Sequence, residues 1–317
     1  MQQRPDAWTL SDGHAGNVRQ AQALAAAMGL QAARDWTLQA RAPWRWFSPR
    51  PLPASRRAFG DDFAQSLACP PLLAIGCGRQ AALATRILRG HGARSVQILD
   101  PRIDPRHWDL VIAPEHDGLR GDNVITLLGS LHLVDDLWLA ASRRQFAAFA
   151  ELPQPRTAVL VGGTSAHAGF DESQFEAFLD WLATRIVQDG GSVLATTSRR
   201  TPPDACARVR ERLRSLPGVV WTNDGDGPNP YAGLLGWADR IICTADSVNM
   251  LSEAAATNVP VYAAGVERLS GRPRRFVESL VALGRVHACS DDLRPFAATA
   301  LRETARVADE VRARLGL

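Results

Sequence analysis

Residues 158–165, Ala-Val-Leu-Val-Gly-Gly-Thr-Ser, decide the fold of the second half of the chain. The apolar run predicts a buried strand, and the two glycines after it suit a tight turn where backbone can approach a ligand. A helical segment follows at 172–188, and another apolar run lies at 192–195. A strand, a helix and a second strand in this order predict a right-handed βαβ unit with parallel strands.

The same alternation extends over the rest of the chain. Further strands are predicted at 7–10, 33–38, 71–75, 95–99, 110–113, 124–127, 219–221, 240–243 and 260–262. Further helices are predicted at 15–28, 79–89, 132–149, 204–215, 247–256, 273–283 and 295–315. The 317 residues are enough for two domains. We therefore predict an α/β protein with two Rossmann-like, doubly wound domains facing a cleft, and a ligand at the carboxyl ends of the strands.

A polar segment with two prolines, residues 151–156, is the predicted linker. It divides the chain into an N-terminal domain, residues 1–152, and a C-terminal domain, residues 153–317. The last helix is a candidate to pack back on the N-terminal domain.

The basic residues are all arginine: Lys and Arg together number 36, and the sequence contains no lysine. P-loop NTPases, protein kinases and Schiff-base enzymes, including those that use pyridoxal phosphate, need a lysine in their sites, so these classes are excluded. The net charge is +3 without a run of like charges. We therefore expect no nucleic-acid partner, whereas an anionic small molecule is compatible with this charge.

Cysteine spacing and hydropathy predict a reduced, cytoplasmic protein. The five cysteines form no Cys-x-x-Cys pair, and residues 1–12 do not resemble a signal peptide. No uncharged apolar run approaches the ~18 residues of a membrane span. The histidines are scattered, so we expect no bound metal. Asp224 and Asp226 match an Asp-x-Asp metal-binding pattern, but the Asn, Gly and Pro residues around them favour a plain turn.

Residues 41–53 interrupt the alternation, because they contain four prolines. Trp44, Trp46 and Phe47 stand there among three arginines. We expect no regular helix in this segment. One interpretation is a long loop that caps the first domain, and the other is an aromatic and basic loop that touches a membrane surface or a lipid-linked substrate.

Polar residues follow two of the strands in the first half. Residues 11–17, Ser-Asp-Gly-His-Ala-Gly-Asn, lead from the first strand into its helix, whose free amides suit an anion, and His14 suits a general base. A plain turn is the alternative. The candidate binding residues of this loop are Asp12, Gly13, Gly16 and Asn17. Residues 113–118 place His116 and Asp117 after a later strand, either as part of a site or as ordinary loop polarity.

Three strand ends in the second half suit a nucleotide. Residues 161–165 can cradle a phosphate or a hydroxyl through backbone amides, and residues 196–201 place two arginines among hydroxyls, which suits a diphosphate. In residues 244–253, Asp246 and Ser247 cap a helix, and a glutamate farther along this helix can accept hydrogen bonds from a ribose. The alternative is a capped helix whose glutamate is merely exposed. The candidate binding residues are Gly162, Gly163, Ser165, Ser198, Arg199, Arg200, Thr201, Asp246, Ser247, Asn249, Met250 and Glu253.

Taken in order along the chain, these motifs resemble one known family. The matching stretches are 11–17 with Gln20, 114–118 with 123–124, 162–163, 198–202, 229–231, and 244–248 with 252–254. Over nearly the whole chain, they resemble the bacterial relatives of the plant "elongated mitochondria" fission protein. That family is similar to GT-B glycosyltransferases, so the resemblance implies an acceptor on the first domain and a nucleotide-diphospho-sugar on the second. It also implies that arginines and helix N-termini, rather than a metal, neutralise the leaving diphosphate.

The sequence departs from the family at His14, where the family commonly has lysine, and this leaves the role of position 14 open. Three functions remain compatible with the sequence, because a fold alone does not select a reaction. The first is a metal-independent glycosyltransferase acting on a cell-envelope glycan or glycolipid, with no cofactor, in which His14, His116 or Asp117 deprotonates the acceptor. The second is a nucleotide-sugar hydrolase or epimerase, and the third is a non-catalytic scaffold or regulator. We expect the chain in the cytoplasm, with peripheral contact to the inner face of the cytoplasmic membrane as an option.

Overall fold

The computed structural model describes residues 6–30, 32–163, 171–290 and 292–317. The chain forms two compact units, Met1–Leu133 with Glu303–Leu317, and Val134–Arg302. Each unit contains a six-stranded sheet in which all neighbouring strands are parallel. The prediction of an α/β protein with two doubly wound domains is therefore confirmed. Among the helices that the structure describes, none combines the length and the apolar composition that a membrane span requires.

The first unit has the strand order of a flavodoxin-like sheet. Its elements are β1 (Ala7–Ser11), α1 (Ala15–Ala27), β2 (Ala32–Thr37), α2 (Trp44–Phe47), α3 (Asp61–Ser66), β3 (Leu73–Cys77), α4 (Arg79–Gly90), β4 (Arg94–Ile98), β5 (Leu110–Pro114) and β6 (Val124–Leu127). The spatial order is β2-β1-β3-β4-β5-β6. Because successive side chains of a strand point to opposite faces, Ile75 packs in one core with Leu24 of α1, whereas Ala74 packs in another with Phe63 of α3.

The second unit has the strand order of a Rossmann sheet. Its elements are α5 (Asp136–Gln145), β7 (Arg156–Val161), α6 (Glu172–Gln188), β8 (Ser192–Thr197), α7 (Pro203–Leu213), β9 (Gly218–Trp221), α8 (Tyr231–Trp237), β10 (Arg240–Thr244), α9 (Val248–Ala255), β11 (Val261–Ala264), α10 (Gly271–Ala282) and β12 (His287–Ala288). The spatial order is β12-β11-β10-β7-β8-β9. On one face, Leu179 of α6 and Val209 of α7 pack on Val159 and Val193 of the sheet.

The last helix, α11 (Thr304–Leu315), belongs to the first unit, where Val307 and Val311 join the core that contains Leu24. A helix was predicted from residue 295 onward, but the helix begins only at Thr304. The residues before it are held on α9, because the Leu301 amide donates to the carbonyl of Ala255 at 2.9 Å.

The units divide between residues 133 and 134 rather than at the predicted residues 152–153. Although α5 precedes the proline-containing segment, it packs against α8 of the second unit. The Arg143 guanidinium donates to the carbonyl of Gly236 at 2.6 Å, and the Trp237 indole donates to the Arg143 carbonyl at 3.2 Å. Prolines mark a change of chain direction, but they carry no information on which core a neighbouring helix joins.

Several short elements depart from the prediction. In residues 41–53, where no regular helix was expected, the single turn α2 forms and ends at Ser48, because the next residue is a proline. Helix α5 starts later than the predicted residue 132, because the carboxylate of Asp135 accepts a hydrogen bond from a first-turn amide at 2.7 Å. The helices α3 and α8 and the two-residue strand β12 are too short to show a hydrophobic period.

Candidate functional site

In both units, a loop with predicted site residues follows the strand at which the strand order reverses. In the first sheet β1 lies between β2 and β3, and in the second sheet β7 lies between β8 and β10. At such a point the later strands are placed on both sides of the central strand, β1 or β7, so the loops leave in opposite directions. This leaves a crevice at the carboxyl edge of the sheet. Ligands of doubly wound proteins bind in this crevice.

In the first unit, the carboxylate of Asp12 organises the loop after β1. Its Oδ1 accepts hydrogen bonds from the Asn17 side-chain amide at 2.9 Å and from the His14 backbone amide at 3.2 Å. The His14 Nδ1 lies 2.9 Å from the same oxygen, and the His14 side chain is 73% exposed. Gly13 has a φ of +83°, and Gly16 lies in the first turn of α1. With Nδ1 directed at a carboxylate, Nε2 is the ring nitrogen left to exchange a proton with a ligand.

The loop after β3 closes against this carboxylate. A Cβ on Gly78, whose φ is +93°, would lie 2.6 Å from the Asn17 side-chain nitrogen and 3.3 Å from Oδ2 of Asp12. The Cys77 thiol donates to the Asn17 side-chain oxygen at 3.6 Å. Burial, assisted by the charge of Asp12, raises the pKa of Cys77. The thiol therefore stays protonated at neutral pH, and its role is to hold Asn17 rather than to attack a substrate.

His116 and Asp117 lie apart from the loop that carries His14. They occupy a 3₁₀ turn directly after β5, and both are half-buried. Because β3 and β4 lie between β1 and β5, the two loops are separated by roughly 14 Å at the usual spacing of neighbouring strands. The three predicted general bases therefore occupy two positions along the edge of the sheet.

In the second unit, the strand ends converge on Gly162. Its amide donates to Oγ1 of Thr244, the last residue of β10, and its carbonyl accepts a hydrogen bond from Oγ1 of Thr201, which follows β8; each distance is 2.7 Å. A Cβ on Gly162 would lie 2.1 Å from Oδ2 of Asp246. The Asp246 carboxylate thus occupies the space of the missing side chain, and a larger residue at position 162 would collide with it.

Asp246 is poorly solvated. The Thr244 hydroxyl and the Gly163 amide donate to its carboxylate, while Oδ2 is buried with no hydrogen-bond partner among the described residues. Burial raises the pKa of Asp246, although these hydrogen bonds and the charge of Arg200 act in the opposite direction. A carboxyl group here suits a hydroxyl or N–H group of a ligand, and it opposes a phosphate placed directly on Gly162.

Two cations, Arg199 and Arg200, follow β8 on an exposed turn. The Ser198 amide and hydroxyl both lie 3.0 Å from Thr201 Oγ1 and close this turn. In the part of the chain that the structure describes, neither guanidinium forms an ion pair or a hydrogen bond. A Cβ on Gly163 would lie only 2.5 Å from Cβ of Arg200. The turn that carries the two arginines therefore lies against the end of β7. Although the charge of Arg200 acts on Asp246, neither guanidinium is engaged in an ion pair with a described residue, and such cations suit a phosphate group.

Helix α9 begins at this edge and is capped at both ends. Ser247 Oγ accepts a hydrogen bond from the Met250 amide at 3.4 Å, and Asn249 lies half-buried in the first turn. At the other end, the buried guanidinium of Arg285 donates to the carbonyls of Ala254, Ala255 and Thr257, at 3.2, 2.7 and 2.7 Å. Burial lowers the pKa of Arg285 to about 10, so it remains charged at neutral pH.

Glu253 is buried rather than exposed. Its side chain is 7% accessible, and the Tyr231 hydroxyl donates to Oε2 at 2.5 Å. Tyr231 is held in turn by Asn229, whose Oδ1 accepts a hydrogen bond from the Tyr231 amide at 2.9 Å. The alternative of a capped helix with an exposed glutamate is therefore excluded. Tyr231 was not a predicted site residue, and the resemblance over residues 229–231 was the signal that pointed to it.

A cavity of about 250 Å³ lies in the second unit beside Gly162 and Asp246. Its lining combines apolar side chains, such as Phe175, with charged ones, such as Arg268. It lies among the ends of β7, β10 and β11 and the first turns of α6 and α7. Ser165, another predicted binding residue, lies outside the described residues.

Over residues 6–30, 32–163, 171–290 and 292–317, no group of three or more His, Cys, Asp or Glu side chains is arranged to hold a metal ion. Asp224 and Asp226 lie in a 3₁₀ turn, as the residues around them indicate. Burial acts to raise the pKa of Asp226, but hydrogen bonds from Thr222 and Arg210 outweigh it and lower the pKa to about 2.

The fold is shared with solved structures of other proteins. The UDP-GlcNAc 2-epimerase from Methanocaldococcus jannaschii has a TM-score of 0.54 and 10% identity, over 96% of this chain and 91% of that chain. Os79 from O. sativa, in complex with U2F and trichothecene, has a TM-score of 0.52 and 12% identity, over 97% and 90%. At such identities the similarity shows the fold alone, which is the two-domain GT-B fold.

Sequence relatives identify the family. The chain is 30% identical over 279 residues to the mitochondrial fission protein ELM1 of Arabidopsis thaliana. The match covers 77% of this chain and 64% of the Arabidopsis protein, so the chain spans less than two thirds of that relative. A family model described as "Mitochondrial fission ELM1" matches residues 15–315. The chain therefore belongs to the mitochondrial fission ELM1 family.

Proposed function

We propose that the protein is a metal-independent GT-B glycosyltransferase that uses a nucleotide-diphospho-sugar to build a cell-envelope glycan or glycolipid. The observation that carries this proposal is the edge of the second sheet, where Arg199 and Arg200 form no ion pair with a described residue and the carboxylate of Asp246 is poorly solvated. Guanidinium groups suit a diphosphate, and carboxylates suit ribose or sugar hydroxyls. The proposal places the protein in the cytoplasm, at the inner face of the cytoplasmic membrane, with a glycan or lipid-linked acceptor.

The second unit would bind the donor. Arg199, Arg200 and the N-terminus of α9 would neutralise the diphosphate, while Asp246 and Glu253 would accept hydrogen bonds from hydroxyls. The cavity of about 250 Å³ is smaller than the roughly 300–1,000 Å³ of a complete small-molecule site. It would therefore hold one part of the donor, such as the base.

The first unit would bind the acceptor and take up its proton. In the proposed step, the acceptor O–H transfers its proton to Nε2 of His14, whose Nδ1 faces Asp12, and the acceptor oxygen attacks the anomeric carbon of the sugar. The bond from that carbon to the diphosphate breaks, and the two arginines stabilise the charge on the departing group. His116 and Asp117 are the second candidates for the base.

A thermal-shift screen with UDP, GDP, ADP and CMP and their sugars tests the donor proposal. A ligand at 100 times its Kd stabilises the unit that binds it by about 2.7 kcal/mol, which corresponds to a rise in Tm of roughly 5–10 °C. Arg200→Ala should weaken the binding of the active nucleotide by roughly 10–100-fold, because a charged hydrogen-bond donor is lost. Arg294→Ala, at an exposed arginine of the same unit, is the matched control. If no nucleotide raises the Tm, or if Arg200→Ala binds as the wild type does, the donor proposal fails.

Two other functions can be separated from glycosyl transfer by experiment. The shared fold with a UDP-GlcNAc 2-epimerase supports an epimerase or hydrolase, which would convert the donor or release its sugar when no acceptor is present. A non-catalytic scaffold, suggested by the fission role in the name of the Arabidopsis relative, would leave a cellular phenotype intact after Arg199→Ala and Glu253→Gln. Product analysis of the donor with and without acceptor separates transfer from the first alternative, and complementation with these variants separates it from the second.

A further inference from the structure

The sequence between β2 and α3 forms an outward-facing loop of unusual composition. Residues 41–57, called the aromatic loop below, contain Trp44, Trp46, Phe47 and five arginines, and no Asp or Glu. Trp46 is 62% exposed and Phe47 is 50% exposed, both in the single turn α2, which buries no residue. Large apolar side chains side by side on a surface indicate an interaction site when polar groups surround them.

The aromatic loop concentrates positive charge. The five arginines are all exposed, and none of them forms an ion pair with a residue that the structure describes. They are Arg41, Arg45, Arg50, Arg56 and Arg57. Exposed cations that form no ion pair attract a surface that carries many negative charges.

Arginines of helix α4 hold the aromatic loop in place by donating hydrogen bonds to the backbone carbonyl groups of the loop. The Arg79 guanidinium donates to the carbonyls of Ser48 at 2.5 Å and Trp46 at 2.6 Å, and Arg86 donates to the carbonyl of Pro49 at 2.7 Å. Within the loop, Ser48 and Pro49 are buried. The exposed aromatic side chains are therefore presented by a fixed backbone, rather than folded back onto the protein.

The mixture of aromatic rings and arginines selects the kind of partner. Tryptophan prefers the boundary between lipid head groups and acyl chains, and arginines near a membrane bind anionic head groups. A second copy of the chain would oppose the same five arginines in a two-fold contact, which like charges disfavour. The chemistry therefore fits an anionic bilayer better than a copy of this surface.

We propose that the aromatic loop is a docking surface for an anionic phospholipid bilayer, with Trp46 and Phe47 at the level of the head groups. Docking does not depend on the reaction proposed above, since it uses no residue of either strand-edge site. The loop is nevertheless tied to one of these sites, because Arg79, which binds its carbonyls, directly follows Gly78. On the proposed function, docking would bring a lipid-linked acceptor to the first unit.

Co-sedimentation of the full chain with vesicles tests this proposal. The vesicles contain phosphatidylcholine alone, or phosphatidylcholine with 30 mol% phosphatidylglycerol. We expect binding to the anionic vesicles that weakens as salt rises. The double variant Trp46→Ser with Phe47→Ser should bind the anionic vesicles at least tenfold more weakly. The double variant Arg45→Gln with Arg50→Gln should bind them about fivefold more weakly for each arginine removed. Leu283→Ser with Arg294→Gln, at exposed positions of the second unit, is the matched control and should bind as the wild type does.

Three outcomes would overturn the proposal. They are equal binding to neutral and anionic vesicles, unchanged binding of the Trp46 and Phe47 variant, and preferential binding of single-stranded RNA that competes with the vesicles. Thermal melts of each variant confirm folding, which is expected because the substituted side chains are exposed. Nucleotide binding by the loop variants should be unchanged, so failure of the docking proposal and failure of the donor proposal are distinguishable.

Discussion

Gly162→Ala is expected to destabilise the second unit, because the new Cβ enters space that a carboxylate already occupies. It would lie 2.1 Å from Oδ2, 2.5 Å from Oδ1 and 2.6 Å from Cγ of Asp246. Ordinary van der Waals contact begins at 3.4 Å. Either the end of β7 or the carboxylate must therefore move by at least 1.3 Å to relieve the shortest contact.

Neither group can make that movement freely. The backbone of Gly162 is held by Thr244 on one side and Thr201 on the other, at 2.7 Å each, and Thr244 also donates to Asp246. Overpacking a rigid interior costs about 1–3 kcal/mol, and each hydrogen bond lost adds about 1 kcal/mol. The expected loss in the free energy of unfolding is therefore about 2–4 kcal/mol.

Urea denaturation followed by tryptophan fluorescence measures this loss. Gly90→Ala is the matched control, because a Cβ there meets no atom within 4 Å, and its stability should stay within about 0.5 kcal/mol or rise. Asp246→Ala removes the three atoms that would lie nearest to the new Cβ, so the double variant should recover at least half of the loss. The reasoning is refuted if Gly162→Ala unfolds within 0.5 kcal/mol of the wild type, or if the losses of the two single variants simply add.

Three further substitutions follow from the same structure. Arg285→Met leaves three carbonyls at the end of α9 without their donor, and should lower the free energy of unfolding by about 2–4 kcal/mol in urea; an unchanged midpoint would contradict the capping role. Because burial raises the pKa of Asp246 above its ordinary value of 3.8, ionisation of this carboxyl should cost the wild type stability as pH rises. The stability of the wild type relative to Asp246→Asn should therefore fall between pH 4 and pH 7, and parallel profiles would contradict it. His14→Gln, at an exposed side chain, should leave stability within about 0.5 kcal/mol and reduce transfer roughly 100-fold, and full activity would move the base to another residue.

The pattern of apolar runs was sufficient to predict the sheets. All six strands of the first unit and five of the second were expected, because a buried parallel strand is a short apolar run between a turn and a helix. Strand β12 was not predicted, because two residues are too few to show a strand pattern. Helix α5 was predicted in part but assigned to the other unit, since its partner α8 is a short helix that contacts it from about 90 residues farther along the chain.

The positions of site residues along the strands were also readable from the sequence, but their chemistry was not. Glycines and polar residues after strands indicated the carboxyl edges of both sheets, where the structure places them. The sequence did not show that Asp246 fills the space beside Gly162, that Glu253 is buried under Tyr231, or that Cys77 supports the loop of Asp12. These properties come from contacts between strands that lie far apart in the chain, and pKa values depend on the same contacts.

A crystal structure with the nucleotide that the thermal-shift screen selects would show whether the second unit binds a diphosphate at the proposed strand ends. The predicted result is density for the two phosphates within hydrogen-bond distance of Arg199, Arg200 or the first-turn amides of α9, with hydroxyl groups facing Asp246 or Glu253. Phosphates bound in the first unit, or at a site in the second unit away from the ends of β7, β8 and β10, would contradict it.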